Sequence, residues 1–308
     1  PLQPFFYAEN CPGAGDPYYA DFLAHSIVNP AWGDKSESSA AAQNLLAALI
    51  LRVVYGDEYD EKTLTTVYQL LKNPYGLQYL DTLFNDEFQG NAARIAQESY
   101  QKFKKNAEPL QQDVLAKLPS LVEPLLKIYP AASEFPRELS QMDMHLPGTA
   151  PCAYFIKYNR DSQNARVAAF FFGTFFRSLF NDSNALSQRG SVAIPTPVNF
   201  LLHDMSSIGQ ISKLDFALAT ARRHNVNFCL TANSIQDLSP TYESWLTITA
   251  NCSTRLIFSP FNAADMDIIQ KWAGPGEVVF DRKSLQDDAV VILFHFHEPI
   301  FAKEYPYT

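Results

Sequence analysis

"NFLLHDMSSIG", running from Asn199 to Gly209, decides how the rest of the chain is read. Phe200, Leu201 and Leu202 come first, then His203 and Asp204, then a small polar turn closed by Gly209. An apolar run that stops at two titratable side chains has the pattern of a buried strand ending in a loop. Where helices separate such strands, ligands gather at the carboxyl ends of the strands. His203 and Asp204 are therefore the first candidates for chemistry.

The flanking sequence alternates in the way this reading requires. "CAYFIKY" is strand-like, and "ARVAAFFFGTFFRSLF" is a strongly apolar helix. "VNFLLHD", "VNFCLTA" and "STRLIFS" read as strands, separated by the helical "KLDFALATARRH" and "YESWLTITA". "AADMDIIQKWA" follows as a helix, and "AVVILFHF" and "PIFAKEY" close the chain as strands. Apolar strands alternating with helices predict an α/β fold, with a mainly parallel sheet covered on both faces. Upstream the texture changes. Residues 31–145 read as helix after helix, with Leu45, Leu46, Leu49, Ile50 and Val53 on one helical face. "DEKTLTTVYQLLKN" has acids where a helix starts and stops before Pro74. "LQQDVLAKLPSLVEPLLKIY" is expected to break or kink at Pro119 and Pro124. Residues 1–30 read as loop and a short helix. The expected division is an α/β domain of 1–30 and 146–308 and an all-α domain of 31–145.

Composition limits the function classes. The 308 residues are 47% hydrophobic and 13% aromatic, enough for a large core and unlike a disordered chain. A formal net charge of -9 argues against a protein that coats duplex DNA with its whole surface, and leaves room for a narrow basic channel. Cys11, Cys152, Cys229 and Cys252 are widely spaced, and the last three sit in apolar runs that predict buried free thiols in a reducing compartment. "NLLAALILRVV", the longest apolar run, is short for a bilayer span and contains Arg52. The abrupt start, "PLQPFFYAEN", is that expected of a fragment.

Nucleotide-driven motors end a core strand with two acids, one for the magnesium water shell and one for the attacking water. Here the pair is His203–Asp204, which can equally be a catalytic pair, a metal site or a satisfied polar turn. "TANS", Thr231 to Ser234, places a second polar cluster on the next strand tip. Arg222 and Arg223 end a helix, where they either complement its dipole or reach a phosphate on a neighbouring subunit. His295 and His297 lie two apart in "HFHE" without further ligands at zinc spacing. No G-x-x-x-x-G-K-[ST] is present, and "CPGAG" lacks the lysine and hydroxyl of a phosphate loop.

The stretch from Val198 to Pro260 resembles the type IV coupling proteins of conjugation, the TraG-type family. That family's pattern is F-L-L-D-E-F-x-x-I-G, a T-x-R helix, Q-S-x-x-Q-L-x-x-x-Y and I-x-x-N-C. This chain has Phe200, Leu201, Leu202, Ile208, Gly209, Thr220, Arg222, Ser234, Leu238, Tyr242, Ile248, Asn251 and Cys252 at matching spacing. "PLQP" is similar to the end of the family's N-P-L motif, and "PIFAKEYPY" to its closing strand.

The resemblance implies a RecA-like P-loop NTPase core with an inserted all-α domain. It implies ATP and Mg2+ as cofactors, with the phosphate loop and membrane anchor upstream of this chain. It implies a homo-hexamer at the cytoplasmic face of a bacterial membrane, with this piece itself soluble. Its partners would be a relaxase–DNA complex or effector protein, single-stranded DNA in the ring channel, and components of the secretion channel. His203 stands at the family's magnesium-shell aspartate, Asp204 at its catalytic glutamate, Arg222 at its arginine finger and Asn233 at its sensor glutamine. Asp237 stands at the second glutamine. In the other register Asp204 is the metal residue and Met205 the absent base. The chain is also shorter than the family pattern between Gly274 and Glu277. Two readings follow: an ATP-driven coupling protein, or a catalytically degenerate relative acting as a docking platform. A third is an unrelated α/β enzyme using His203–Asp204 as an acid–base pair.

Overall fold

The computed structural model describes residues 18–32, 36–85, 90–126, 144–157, 162–188, 193–258, 263–273, 289–294 and 297–303. The chain divides into two compact units. One is Pro1–Phe200, Ser207–Lys213 and Ala221–Asn227; the other is Leu201–Ser206, Leu214–Thr220 and Phe228–Thr308.

The first unit is built on α1 (Tyr18–Trp32), α2 (Glu37–Tyr55), α3 (Leu64–Leu71), α4 (Gly76–Asn85), α5 (Asn91–Lys104) and α6 (Glu108–Leu126). No strand occurs among the described residues of 36–126. Ser36 starts α2, its Oγ accepting the Ser39 N–H at 3.0 Å, and Thr63 starts α3 by accepting the Thr66 N–H at 3.2 Å. Each hydroxyl satisfies a donor that a helix start leaves orphaned. The acids Asp60 and Glu61, expected inside the first turn of α3, therefore precede it. Helix α6 runs through Pro119 and Pro124 rather than breaking there. Pro119 is itself buried, so packing compensates for the backbone bond that its ring removes.

Helix α2 packs mainly on α5 and α1. Leu45, Leu46, Leu49, Ile50 and Leu51 are each 0–1% exposed, so this helix is covered on every side. It is long and apolar enough to cross a bilayer by length and composition, because small residues extend the apolar run at its start. In the structure its apolar surface is spent on neighbouring helices instead. A buried polar chain ties α1 to α2 and to the turn after residue 206. Asn29 Nδ2–H donates to His25 Nε2 at 2.9 Å, and His25 Nδ1 meets Ser212 Oγ at 2.7 Å. Ser39 and Gln43 donate to Asn29 Oδ1.

Beyond α7 (Leu146–Thr149) lies the long α8 (Ser162–Gln188), whose Phe175 and Phe176 meet Phe200 edge-on at 5.2 and 4.6 Å. "CAYFIKY" is not a strand over its described residues: 151–157 are irregular and Phe155 is almost fully exposed. A strand exists only through a ladder, and these described residues are not assigned to one.

Strand β1 (Val198–Leu202) pairs with β2 (Val226–Leu230). Val198 N–H donates to Asn225 O and Thr231 N–H to Leu202 O, so the pair is parallel. β3 (Thr254–Phe258), β4 (Ala289–Phe294) and β5 (Ile300–Lys303) form a second sheet that is antiparallel throughout, with Leu256 opposite Ile292 and Ile292 opposite Ile300. The expectation of a mainly parallel sheet is thus met only by β1 and β2. Alternation of strands and helices fixes the order of elements, not the direction in which a strand enters a sheet. The short β4–β5 link forces an antiparallel pair, since parallel neighbours need a crossover of about a dozen residues or more.

Among the described residues the expected two-sided cover is not seen. β1 buries Val198, Phe200 and Leu202 but leaves Leu201 77% exposed. In the second sheet one face meets α12 (Ala263–Ala273), through Ile257, Val291 and Leu293 against Met266, Ile269 and Trp272. The thiols expected to be buried are not. Cys152 and Cys229 are exposed and Cys252 is half-buried, all free. Burial pushes the Cys252 thiol up, with Arg255 opposing. "CPGAG", "PLQP", residues 274–277 and His295 lie outside the described residues. His297 follows the end of β4, its N–H donating to Phe294 O.

Candidate strand-tip site

The candidate site forms where β1 and β2 end together. Thr231 N–H donates to Leu202 O at 3.0 Å, and Met205 N–H donates to Thr231 O at 2.8 Å. These bonds carry the ladder past the last residues of both strands and bring Thr231 beside His203 and Asp204. Thr231 Oγ1 accepts the Asp204 N–H at 2.9 Å and meets His203 Nδ1 at 3.0 Å. One hydroxyl therefore orients both candidate residues.

The two residues point to different surroundings. His203 is exposed and Asp204 is buried. Asp204 holds φ at 55°, in the left-handed region that non-glycine residues rarely adopt. Its Oδ1 accepts the Ser206 hydroxyl at 2.8 Å, as short acidic side chains do when they stabilise such a turn. Strain of this kind costs of order 1–3 kcal/mol and concentrates at functional tips. The helix α9 (Met205–Ile208) follows, and Gly209 closes the turn at φ 85°. A Cβ there would stand 3.3 Å from the Ala165 carbonyl oxygen, so both conformation and space favour glycine.

Asn233 is exposed two residues beyond Thr231 in the same loop, and Asp237 is exposed in the 3₁₀ turn Gln236–Leu238. Arg222 is exposed in the 3₁₀ turn Ala221–His224 and belongs to the first unit, whereas His203, Asp204 and Asn233 belong to the second. Beside Arg222, His224 is buried and stacks on Phe180 at 4.4 Å. Arg223 Nε–H donates to His224 Nε2 at 3.0 Å. Burial first, and the Arg223 charge second, push the His224 imidazole down to about 4, so it is neutral at physiological pH. Nothing in "TARRHNV" distinguishes this buried histidine from a solvated helix end.

The residue that sequence reasoning missed is Asp265, buried in the first turn of α12. It accepts the Ser234 hydroxyl at 3.0 Å and the Ile235 and Gln236 N–H groups at 3.2 Å each. An acid opening a helix is ordinarily read as a partner of the dipole. Its true partners lie about 30 positions away, beyond the reach of any local pattern.

Among the described residues no three His, Cys, Asp or Glu side chains gather as a metal cluster. The tip supplies one carboxylate, Asp204, and the hydroxyls of Ser206 and Thr231. Hard oxygens of this kind suit the water shell of Mg2+, and the His203 nitrogen does not.

Residues 197–289 match the family model "TraM recognition site of TraD and TraG". This segment is of the TraG/TraD coupling-protein type. The coupling-protein segment thus contains the whole strand tip, the Arg222 turn, β3 and α12. The fold is similar to the trigonal form of the bacterial conjugative coupling protein TrwBdeltaN70 in complex with sulphate. The TM-score is 0.59 at 12% identity, over 94% of this chain and 68% of that one. The unbound monoclinic form of the same protein gives 0.49 at 11% identity, over 94% and 69%. No curated protein sequence matches this chain.

Proposed function

We propose that this chain is the cytosolic part of a coupling protein in a conjugative or type IV secretion system. It would recruit a relaxase–DNA complex or protein cargo to the secretion channel from a membrane-anchored homo-hexamer. The observation that carries this reading is the joined tip of β1 and β2, with His203 and Asp204 both on Thr231, inside the matched segment. The matched family model is that of a TraM recognition site, so a TraM-like protein is a partner candidate for this segment too. The all-α block of 31–145 is proposed as the cargo-facing domain, and Arg222 as the residue that reaches a neighbouring subunit's nucleotide.

Magnesium-bound ATP would supply a polarised γ-phosphoryl group for transfer to water. His203 stands where the metal's water shell needs a hard oxygen, and its imidazole is a poor substitute. Asp204 stands where the water-orienting glutamate would be, one methylene short and turned to Ser206. The reading is therefore a nucleotide-binding coupling protein with slow or absent hydrolysis, whose cargo docking is intact. Loss of a positioned acid costs about 10²–10⁴-fold in rate.

The test is magnesium-dependent phosphate release by the full-length protein, compared with His203→Asp combined with Asp204→Glu. The double change is expected to raise the rate well above wild type. A brisk wild-type rate that the double change lowers would show His203–Asp204 to be a working site. In mixed hexamers, Arg222→Ala subunits should impair intact neighbours; activity falling only in proportion to the mutant fraction would remove the trans role.

A further inference from the structure

We infer that Asp265 is a positioning residue that sets how the tip of β2 reads a bound nucleotide. The inference rests on the proposed nucleotide-binding role and adds to it a part for α12. Loop 231–236 leaves β2 exposed at Thr231, Ala232 and Asn233, then turns inward at Ser234. From there three donors converge on one carboxylate: the Ser234 hydroxyl and Gln236 N–H on Oδ1, and the Ile235 N–H on Oδ2. Gln236 N–H also reaches Ser234 Oγ at 3.1 Å. Meanwhile the Ile235 side chain packs on the cluster of Ile269, Val291 and Leu293, where α12 meets its sheet. The loop is thus fastened twice to one rigid body, by charge-assisted bonds through its backbone and by apolar packing through its side chain.

A carboxylate whose only task was to offset the helix dipole would have no need of a loop 30 positions upstream. Asp265 accepts three bonds from that loop and is buried. The consequence is leverage on Asn233, which directly precedes Ser234 and carries the exposed amide at the tip. With Ser234, Ile235 and Gln236 fixed, the backbone of Asn233 is held at one end by Asp265. At the other it is held by the Thr231 bonds to Leu202 and Met205. A polar side chain on such a clamped tip can distinguish a nucleotide with a γ-phosphate from one without. An unclamped tip would lose the distinction while leaving binding of the shared part of the nucleotide alone.

The experiment measures affinity of the full-length protein for fluorescent N-methylanthraniloyl-ATP and -ADP, in wild type, Asp265→Asn and Ser234→Ala. Asp265→Asn keeps the shape but loses the charge and one acceptor. It is expected to leave ADP affinity unchanged and to weaken ATP binding by about tenfold, the worth of a charge-assisted bond. Ser234→Ala removes one bond and leaves Asp265 in place, so it should shift the ATP-to-ADP ratio the same way by less. It also gives a reading should Asp265→Asn fail to fold. Amide exchange at Ile235 and Gln236 should quicken in Asp265→Asn, with the protection of α12 retained. A ratio unchanged in both variants overturns the inference alone. A wild-type protein that binds neither analogue overturns the proposed function, and this inference with it.

Discussion

Helix α2 in the first unit and strand β3 in the second are both strongly apolar, yet they meet opposite fates. The leucines of α2 are sealed on all sides, whereas Leu256 and Phe258 of β3 are 55% and 54% exposed. Ile300 of β5, in register with Leu256 through Ile292, is about as open at 49%. The difference is one of layers. Helices satisfy their own backbone and can surround a central member, so α1, α3, α5 and α6 make a core without further elements. A sheet has two faces, and in the second unit α12 covers one of them. Apolar content alone does not say whether a residue is core; the number of layers over it does.

The sharpest way to break this comparison is at the centre of the helical core. Phe103 is fully buried and packs by Tyr100, whose ring stacks on Phe84 at 4.3 Å. Phe103→Ala should cost about 3–5 kcal/mol, read as a shift in the denaturant midpoint. A cost near that of a surface change would mean the first unit is not packed as described.

A pH scan probes the edge of the same unit. His224 carries its proton less readily folded (about 4) than unfolded (6.5). The unfolded chain therefore binds more protons between those values. Stability is full above pH 6.5, declines as pH falls below it, and reaches its lowest contribution near pH 4. His224→Phe, which preserves stacking on Phe180, should flatten that part of the profile relative to wild type. Parallel profiles would show that His224 is not buried neutral.

Helix starts give a smaller and more local effect. Thr63→Ala removes the hydroxyl that accepts the Thr66 N–H and should cost about 1 kcal/mol in thermal or chemical unfolding. Smallest of all, Leu256→Thr on the open face of β3 should change stability by no more than about 0.5 kcal/mol. A cost of several kcal/mol there would mean the face is covered in the protein as purified, and would erase the contrast between the units.

The site was legible in part. The end of β1 at Leu202, the adjacency of its tip to the "TANS" loop and the helix before Arg222 all follow from apolar runs and their interruptions. The role of Thr231 did not, because its hydroxyl acts on residues 27 and 28 positions away. Nor did the exposed and buried fates of His203 and Asp204, which the positive φ of Asp204 sets. Asp265 and His224 were hidden for the same reason: each is defined by partners that no local period reveals.

The sequence by itself determined the order of most helices and strands, though not every boundary and not the irregular 151–157, since hydrophobic period and capping are properties of neighbouring residues. It also determined the coupling-protein character of 197–289, because that signal lies in residue types at fixed spacing. Tertiary structure alone decided the direction of β3, β4 and β5, the bare faces of β1 and β3, and the fastening of the strand tip by Thr231 and Asp265. Those features depend on hydrogen bonds and layers formed between distant segments, whose energies appear only once the chain has brought them together.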